Sequence, residues 1–228
     1  MIMEIEDLLP PDSRQAIAEL LEDRALFRDG GRTAGRMARA RKNNLQAADH
    51  PLVRGILTKV RDAVMTHPVV QMAAVPNRIA RVLLSRYEPG MAYGTHVDNA
   101  FMDGVRTDLS FTVFLTGPDS YEGGELVIEG AEGERVIKLP AGAMVLYPST
   151  ELHRVRPVTD GVRLAAVGWI ESRIRRREER ELLFDVGLIG QAIAAGREGA
   201  APEAEALDGA RLRVARVHAN LLRLWAER

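Results

Sequence analysis

The sequence predicts a mainly β protein whose sandwich or barrel core is preceded and followed by α-helices. Between Arg78 and Ser172, short segments rich in β-branched and aromatic residues are separated by Gly, Pro and Asp. Their spacing is typical of an all-β sandwich or barrel. Before and after this region, apolar residues recur at intervals of three and four, as in amphipathic helices. We therefore predict three segments: an N-terminal helical part over 1–77, a β core over 78–172 and a C-terminal helical extension over 173–228.

The N-terminal part contains two predicted helices joined by an irregular segment. The first helix follows Pro11, with Asp12 or Ser13 as the candidate N-cap. Residues 28–46 are rich in Gly and Arg and show no period, which predicts a loop or an irregular strand. The second helix is predicted to end before Pro68. Its apolar face contains Leu52, Val53, Ile56, Leu57, Val60 and Val64.

Within the β core, the segment TDLSFTVFL alternates in the way expected of a strand. One face of this strand carries Thr107, Leu109, Phe111, Val113 and Leu115. The other face carries Asp108, Ser110, Thr112 and Phe114. Several small polar groups on one face suit either the wall of a wet cavity or a surface in contact with solvent. The sequence leaves both interpretations open.

The C-terminal extension contains two predicted helices with a break at residues 199–202. The run RIRRREER, which begins at Arg173, is the most basic stretch of the chain. Because it includes glutamates and lies where a helix should begin, it indicates a solvated helix face. We expect no nucleic-acid partner.

Composition excludes several classes of protein. Apolar residues make up 46% of the 228 residues, charged residues make up 28%, and the net charge is −1, which predicts a globular chain rather than a disordered one. The absence of cysteine excludes disulfides and thiolate-bound metals and suits a cytoplasmic location. The N-terminus lacks a basic region followed by an apolar one, so we expect no secretory signal. No apolar run reaches about 18 residues, so we expect no membrane span.

The chemistry of the β core centres on the tripeptide His96-Val97-Asp98. On a strand, residues i and i+2 point to the same face, so an imidazole and a carboxylate at this spacing converge. Together they supply two ligands of a 2-His-1-carboxylate triad, which binds non-haem Fe(II) and leaves coordination positions open. A single pattern of this kind also arises by chance in turns.

His153 is the candidate third ligand, because it is the other histidine of the β core. It follows the strand and turn pattern LPAGAMVLYPS, and a surface loop histidine is the alternative interpretation. The remaining histidines are less suited to the role. His50 and His67 flank the second helix, and His218 lies on the last one.

Arg163 lies ten positions after His153, at the head of the apolar strand GVRLAAVGWIES. A buried arginine is costly unless an anion pairs with it. Its planar guanidinium binds a carboxylate through two hydrogen bonds. Arg163 therefore indicates either a clamp for a dicarboxylate cosubstrate or an internal salt bridge.

The order HxD, distal His and Arg resembles the Fe(II)/2-oxoglutarate-dependent dioxygenases of the prolyl-4-hydroxylase type, and more narrowly the bacterial PKHD-type hydroxylases. The sequence segments that carry this resemblance begin with KNNLQ at Lys42 and extend almost to the C-terminus. They are RYEPGMAYGTHVD, RTDLSFTVFL, YEGGELVI, KLPAGAMVLYPSTELHRVRPVTDGVR, WIESRIR and NLLRLWAE. The resemblance implies a double-stranded β-helix, or jelly roll, with flanking helices.

The resemblance also implies roles for individual residues. Iron would be bound by His96, Asp98 and His153. Arg163 would hold the far carboxylate of 2-oxoglutarate, and Tyr87 would line the same pocket. The tyrosine that assists this carboxylate in related eukaryotic prolyl hydroxylases is replaced here by Phe114, which leaves Thr112 or Ser110 as candidate helpers.

The implied reaction is hydroxylation by O2, with release of succinate and CO2 and with ascorbate as a candidate reductant. The substrate would be a peptidyl side chain or a small metabolite of iron homeostasis. Two other functions stay open: a non-catalytic iron and 2-oxoglutarate sensor, and another jelly-roll metalloenzyme, such as a cupin-like isomerase or a zinc hydrolase. We expect no membrane partner, and the sequence leaves a homo-oligomer open.

Further residues receive weaker interpretations. Asn99 and Asp103 are candidate substrate contacts from the loop after HxD. The GGEL sequence at Gly123 predicts a strand entry with a bulge. Lys138 is expected to be a solvated strand lysine, and Trp169, like Trp225, a core residue.

Overall fold

The computed structural model describes residues 1–33, 39–130, 133–197 and 204–225. The chain forms two compact units. The division into three segments with boundaries after residues 77 and 172 stays a prediction. The first unit contains Met1–His67 and Pro76–Ser172, and the second contains Pro68–Val75 and Arg173–Arg228.

The first unit is built mainly from strands. In chain order, these are β1 (Met3–Ile5), β2 (Phe27–Asp29), β3 (Lys42–Asn43), β4 (Leu45–Ala47), β5 (Pro76–Tyr87), β6 (Ala92–His96), β7 (Phe101–Met102), β8 (Val105–Arg106), β9 (Leu109–Phe114), β10 (Tyr121–Gly123), β11 (Leu126–Gly130), β12 (Gly133–Ile137), β13 (Met144–Pro148), β14 (Leu152–Val155), β15 (Val158–Gly161) and β16 (Arg163–Ser172). Short 3-10 helices cover Arg24–Leu26, Gly30–Thr33, Arg39–Arg41 and Pro118–Ser120.

Two antiparallel sheets form the core of this unit. The larger has the order β1-β13-β9-β16-β5-β4-β2, and the smaller has the order β12-β11-β14-β6-β3. Each sheet contributes apolar side chains to a shared cluster, so the two sheets face each other. The buried members of the cluster are Tyr87, Phe114, Leu126, Ile128, Ile137, Val145, Tyr147, Val155 and Val158. The predicted jelly-roll core with helices before and after it is confirmed.

The remaining described strands form two two-stranded sheets, β10–β15 and β7–β8. The β10–β15 register shifts between Glu122 and Gly123, which confirms the predicted bulge. Residues 28–46 were predicted as a loop or an irregular strand, and strands β2, β3 and β4 lie in or overlap this segment. Strand β2 is an edge strand of the larger sheet, next to β4, and β3 is an edge strand of the smaller sheet.

Two helices belong to the first unit, α1 (Pro11–Glu22) and α2 (Pro51–Thr66). The α1 N-cap is Pro10, which makes no side-chain cap, so the prediction of Asp12 or Ser13 was wrong. Proline lacks an N–H and is well suited to the first helical position, so Pro11 begins the helix there. The predicted apolar face of α2 is confirmed, and its buried residues are Val53, Ile56, Val60 and Val64.

The second unit contains α3 (Pro68–Ala74), α4 (Arg177–Arg197) and α5 (Ala204–Trp225). Sequence patterns predicted α4 and α5 but missed α3, in which Pro68 begins a new helix immediately after α2 has ended. The predicted break at residues 199–202 and the side chain of Trp225 lie outside the described residues. Among the described helices, none is long and apolar enough to cross a membrane.

Candidate metal centre and carboxylate pocket

The three predicted ligands lie together in the first unit. His96 is the last residue of β6, and His153 lies directly opposite it on β14. The ring centroids of these histidines are 4.2 Å apart. One potential ligand atom from each of His96, Asp98 and His153 lies within 4.8 Å of the others. The structure therefore brings together a metal-binding set that the sequence separates by more than fifty residues.

Asp98 reaches this position in a different way from the one predicted. Strand β6 ends at His96, so Asp98 lies beyond it, and strand alternation does not orient its carboxylate. Instead, the Ser110 hydroxyl on β9 donates a hydrogen bond of 2.6 Å to Asp98 Oδ2. Ser110 was a candidate helper for Arg163, and this role stays a prediction; its hydroxyl proton is directed at Asp98.

Backbone hydrogen bonds orient both imidazole rings. His96 Nδ1 lies 2.9 Å from the carbonyl oxygen of Gly94, and His153 Nδ1 lies 3.0 Å from that of Glu151. A carbonyl oxygen only accepts, so each Nδ1 carries a proton, and in the neutral form of each ring Nε2 keeps its lone pair. His96 Nε2 lies 3.9 Å from Asp98 Oδ1, and His153 Nε2 lies 3.7 Å from Asp98 Oδ2.

The electrostatics of the site favour neutral imidazole. Burial lowers the pKa of His96 to about 4, and the neighbouring His153 lowers it further in the same direction. His96 therefore carries no proton on Nε2 near pH 7 and is ready to bind a cation. Two neutral nitrogen donors and one carboxylate fit Fe(II), whose common non-haem ligand set they match.

Arg163 forms a second feature of the same region. The residue is only 1% exposed, and its Nε and Nη2 atoms have no hydrogen-bond partner among the described residues. Its Cζ lies 5.2 Å from the ring centre of Tyr87 and 5.4 Å from that of Phe114. Because no described carboxylate pairs with it, the internal salt bridge is not supported. A buried guanidinium with unused donors fits the carboxylate of an incoming ligand.

Tyr121 is a neighbour of Arg163 that sequence patterns missed. Its hydroxyl is buried and has no partner among the described residues. Burial raises the pKa of this hydroxyl, and the positive charge of Arg163 opposes that rise. Phe114, predicted to replace the assisting tyrosine, is fully buried and offers only its ring. The Tyr121 hydroxyl is therefore a candidate helper of Arg163.

The GGEL sequence explains why Tyr121 and Arg163 approach so closely. Gly124 has φ of +66°, and a Cβ atom there would lie 3.1 Å from both Arg163 Cδ and Tyr121 Cε2. Glycine is thus required for conformation and for space. Lys138, expected to be solvated, instead donates from Nζ to the Tyr121 carbonyl at 2.7 Å, which holds this strand in place.

A cavity of about 270 Å³ connects the metal ligands with Arg163. Tyr93 stacks on His96 with a centroid distance of 3.7 Å, and Tyr147 meets His153 edge-on at 5.2 Å. Lys42 also lines the cavity, and burial lowers its pKa to about 8. Ser110 and Thr112 lie on the cavity wall too, which decides between the two sequence interpretations in favour of a cavity.

Away from Arg163, the cavity wall carries residues from the loop after HxD. Asn99 and Asp103 line it, and the guanidinium of Arg81 binds Asp103 through hydrogen bonds of 2.9 and 2.6 Å. Trp169, predicted as core, is buried and also lines the cavity. Phe101 lines it while 62% exposed, so this part of the wall is accessible to solvent.

The fold and the site define an oxygenase class. Residues 82–171 match the family profile described as the 2OG-Fe(II) oxygenase superfamily. More narrowly, the chain belongs to the PKHD-type hydroxylases. It is 46% identical to a PKHD-type hydroxylase of Parvibaculum lavamentivorans and 44% identical to one of Maricaulis maris, in each case over the full length of both chains. It is therefore a dioxygenase that uses Fe(II) and 2-oxoglutarate.

Solved structures support the fold. A prolyl-4-hydroxylase of Pseudomonas putida superposes with a TM-score of 0.54 at 20% identity, covering 76% of this chain and 93% of that one. A prolyl hydroxylase of Trichoplax adhaerens, in complex with a hypoxia inducible factor peptide fragment, gives a TM-score of 0.56 at 20% identity, covering 79% and 86%.

Proposed function

We propose that the chain hydroxylates its substrate at a single iron site held by His96, Asp98 and His153. The orientation of the two histidines carries this proposal. Each directs Nε2 toward Asp98 while its Nδ1 proton is held by a backbone carbonyl. Three protein ligands leave the remaining coordination positions for 2-oxoglutarate and O2.

Arg163 would bind the carboxylate of 2-oxoglutarate that lies away from the metal, beside Tyr87. The support is its buried guanidinium, which has two donor atoms without a partner among the described residues and belongs to a residue that lines the same cavity as the triad. Tyr87 lies directly opposite Arg163 in the β5–β16 register and also lines the cavity. The guanidinium can supply two parallel N–H groups, which match the two oxygens of a carboxylate.

When bound, Fe(II) and 2-oxoglutarate supply the oxidising chemistry: one oxygen atom of O2 enters a substrate C–H bond, and 2-oxoglutarate becomes succinate and CO2. The chain's own residues bind and orient these groups and limit the access of water. Buried Tyr147 and Phe111 contribute to that apolar enclosure. Ascorbate would act as the reductant that keeps the metal ferrous.

The substrate would be a peptidyl side chain or a small metabolite linked with iron homeostasis. The Trichoplax adhaerens structure, with its bound peptide fragment, supports the first class by analogy. The accessible wall at Phe101 and Asp103 provides space for either. We place the reaction in the cytoplasm, in line with the absence of cysteine.

The test is succinate release from 2-oxoglutarate by metal-free protein reconstituted with Fe(II) under O2. We expect turnover by the wild-type chain and loss of turnover and of Fe(II) retention in His96→Ala and Asp98→Ala. His218→Ala, which removes a histidine of the second unit, is the matched control and should retain activity.

The same assay separates the alternative functions. Binding of Fe(II) and 2-oxoglutarate without succinate, in the presence of candidate peptides and metabolites, would indicate a sensor. Activity restored by Zn²⁺ and independent of 2-oxoglutarate would indicate a hydrolase, and independence of both O2 and 2-oxoglutarate would indicate an isomerase.

A further inference from the structure

Two buried serines form a hydrogen-bonded chain that ends on Asp98. Ser110 is 1% exposed and Ser149 is 4% exposed. Ser110 Oγ lies 2.6 Å from Asp98 Oδ2 and 2.8 Å from Ser149 Oγ. An ionised carboxylate only accepts hydrogen bonds, so Ser110 donates to Asp98. The single hydroxyl proton of Ser110 is then used, and Ser149 must donate to Ser110.

Two paired strands, β9 and β13, position the serines. Ser110 lies on β9 and pairs with Tyr147 on β13. Ser149 directly follows β13, and its N–H donates to the carbonyl of Asp108 at 3.2 Å. Ser149 also lies in the turn that leads from β13 to His153 on β14. The two hydroxyls thus connect the carboxylate ligand to the element that carries the second histidine.

We propose that Ser110 and Ser149 are positioning residues that hold Asp98 as a one-oxygen ligand. This inference rests on the proposed iron site. Ser110 engages Oδ2, which leaves Oδ1 to bind the metal. Carboxylates bind metals through one oxygen or through both. Binding through both would occupy a coordination position that 2-oxoglutarate or O2 needs, so the serine chain keeps the site open.

Anaerobic titration of metal-free protein with Fe(II), and then with 2-oxoglutarate, tests this inference. Ser110→Ala should raise the Kd for Fe(II) by about 10- to 100-fold, the usual effect of losing a hydrogen bond to a metal ligand. It should also raise the Kd for 2-oxoglutarate, because the freed Asp98 oxygen competes for a position. Ser149→Ala should raise the Kd for Fe(II) by about three- to tenfold.

A double variant tests whether the two serines act in series. Because Ser149 acts through Ser110, the combined change should bind Fe(II) within about twofold of Ser110→Ala alone. If the losses of Fe(II) affinity in the two single variants multiply in the double variant, Ser149 acts independently of Ser110, and the proposed action in series is overturned. Ser110→Thr, which keeps the hydroxyl, should recover most of the affinity.

Ser85→Ala is the matched control, since Ser85 is 2% exposed and lines the same cavity. Its Fe(II) affinity should stay within about twofold of wild type. Unchanged affinity in Ser110→Ala, or an equal loss in Ser85→Ala, would overturn the inference. If Ser110→Ala fails to fold, the Ser149→Ala titration decides. A wild-type chain that binds no Fe(II) would instead refute the proposed function.

Discussion

The two ends of the cavity differ in how their polar groups are satisfied. At the metal end, each ligand already has a hydrogen bond from the chain: two backbone carbonyls hold the histidines, and Ser110 holds Asp98. At the other end, Arg163 is buried, and its Nε and Nη2 atoms have no hydrogen-bond partner in the part of the chain that the structure describes. The metal end is therefore organised before ligand binds, whereas in the proposed function the donors of Arg163 would be satisfied by a carboxylate that enters from solution.

The largest expected effect follows from removing the buried guanidinium of Arg163. Arg163→Ala should raise the apparent KM for 2-oxoglutarate by about 30-fold or more, since truncating one member of a buried charge pair costs about 2–5 kcal/mol. The Kd for Fe(II) should change little, because the metal end has its own support. Steady-state succinate assays and anaerobic Fe(II) titrations measure the two quantities. An unchanged requirement for 2-oxoglutarate would show that Arg163 is not the clamp.

A second prediction concerns stability without ligand. Arg163→Met replaces a buried cation by an apolar side chain of similar length, so the ligand-free protein should be more stable by about 1–4 kcal/mol. Denaturant unfolding measures this change, and 2-oxoglutarate should no longer stabilise the variant. Arg81→Met is the control: Arg81 is paired with Asp103 and partly exposed, so its replacement should change stability by less than about 1 kcal/mol. A destabilised Arg163→Met variant would mean that Arg163 is already satisfied in the free protein.

Tyr121→Phe tests the proposed helper of Arg163. Loss of one hydroxyl donor should raise the KM for 2-oxoglutarate by about three- to tenfold, with little change in kcat. Phe114→Tyr adds a hydroxyl to another ring that neighbours Arg163, so comparing the two variants shows whether the position of the hydroxyl matters. Wild-type kinetics in Tyr121→Phe would assign the role to another group.

The last prediction concerns the metal end. The folded pKa of His96 is lowered to about 4 from 6.5, so below pH 6.5 the unfolded chain binds a proton that the folded chain does not. The stability of metal-free protein should therefore fall as the pH drops from about 6.5 to 4. Thermal unfolding across this range should show a shallower fall in His96→Gln. Parallel curves for the two proteins would contradict the lowered pKa.

Much of this architecture could be predicted from local patterns. Alternation identified the core strands, and the amphipathic face of α2 was read directly from its apolar spacing. His153 was found because few histidines lie in the β core, and Arg163 because a charge at the head of an apolar strand needs an explanation. The helix α3 and the start of α1 were missed because proline can either end a helix or begin one.

The residue types of the site and their order along the chain are properties of the sequence alone: two histidines, one carboxylate and one arginine on strand-forming segments. Only the tertiary structure decided how Asp98 is held, because β6 ends at His96 and the hydrogen bond comes from β9. It also decided that Tyr121 lies beside Arg163. Such hydrogen bonds join residues from separate strands, and the register that aligns those strands is set by packing across the whole sheet.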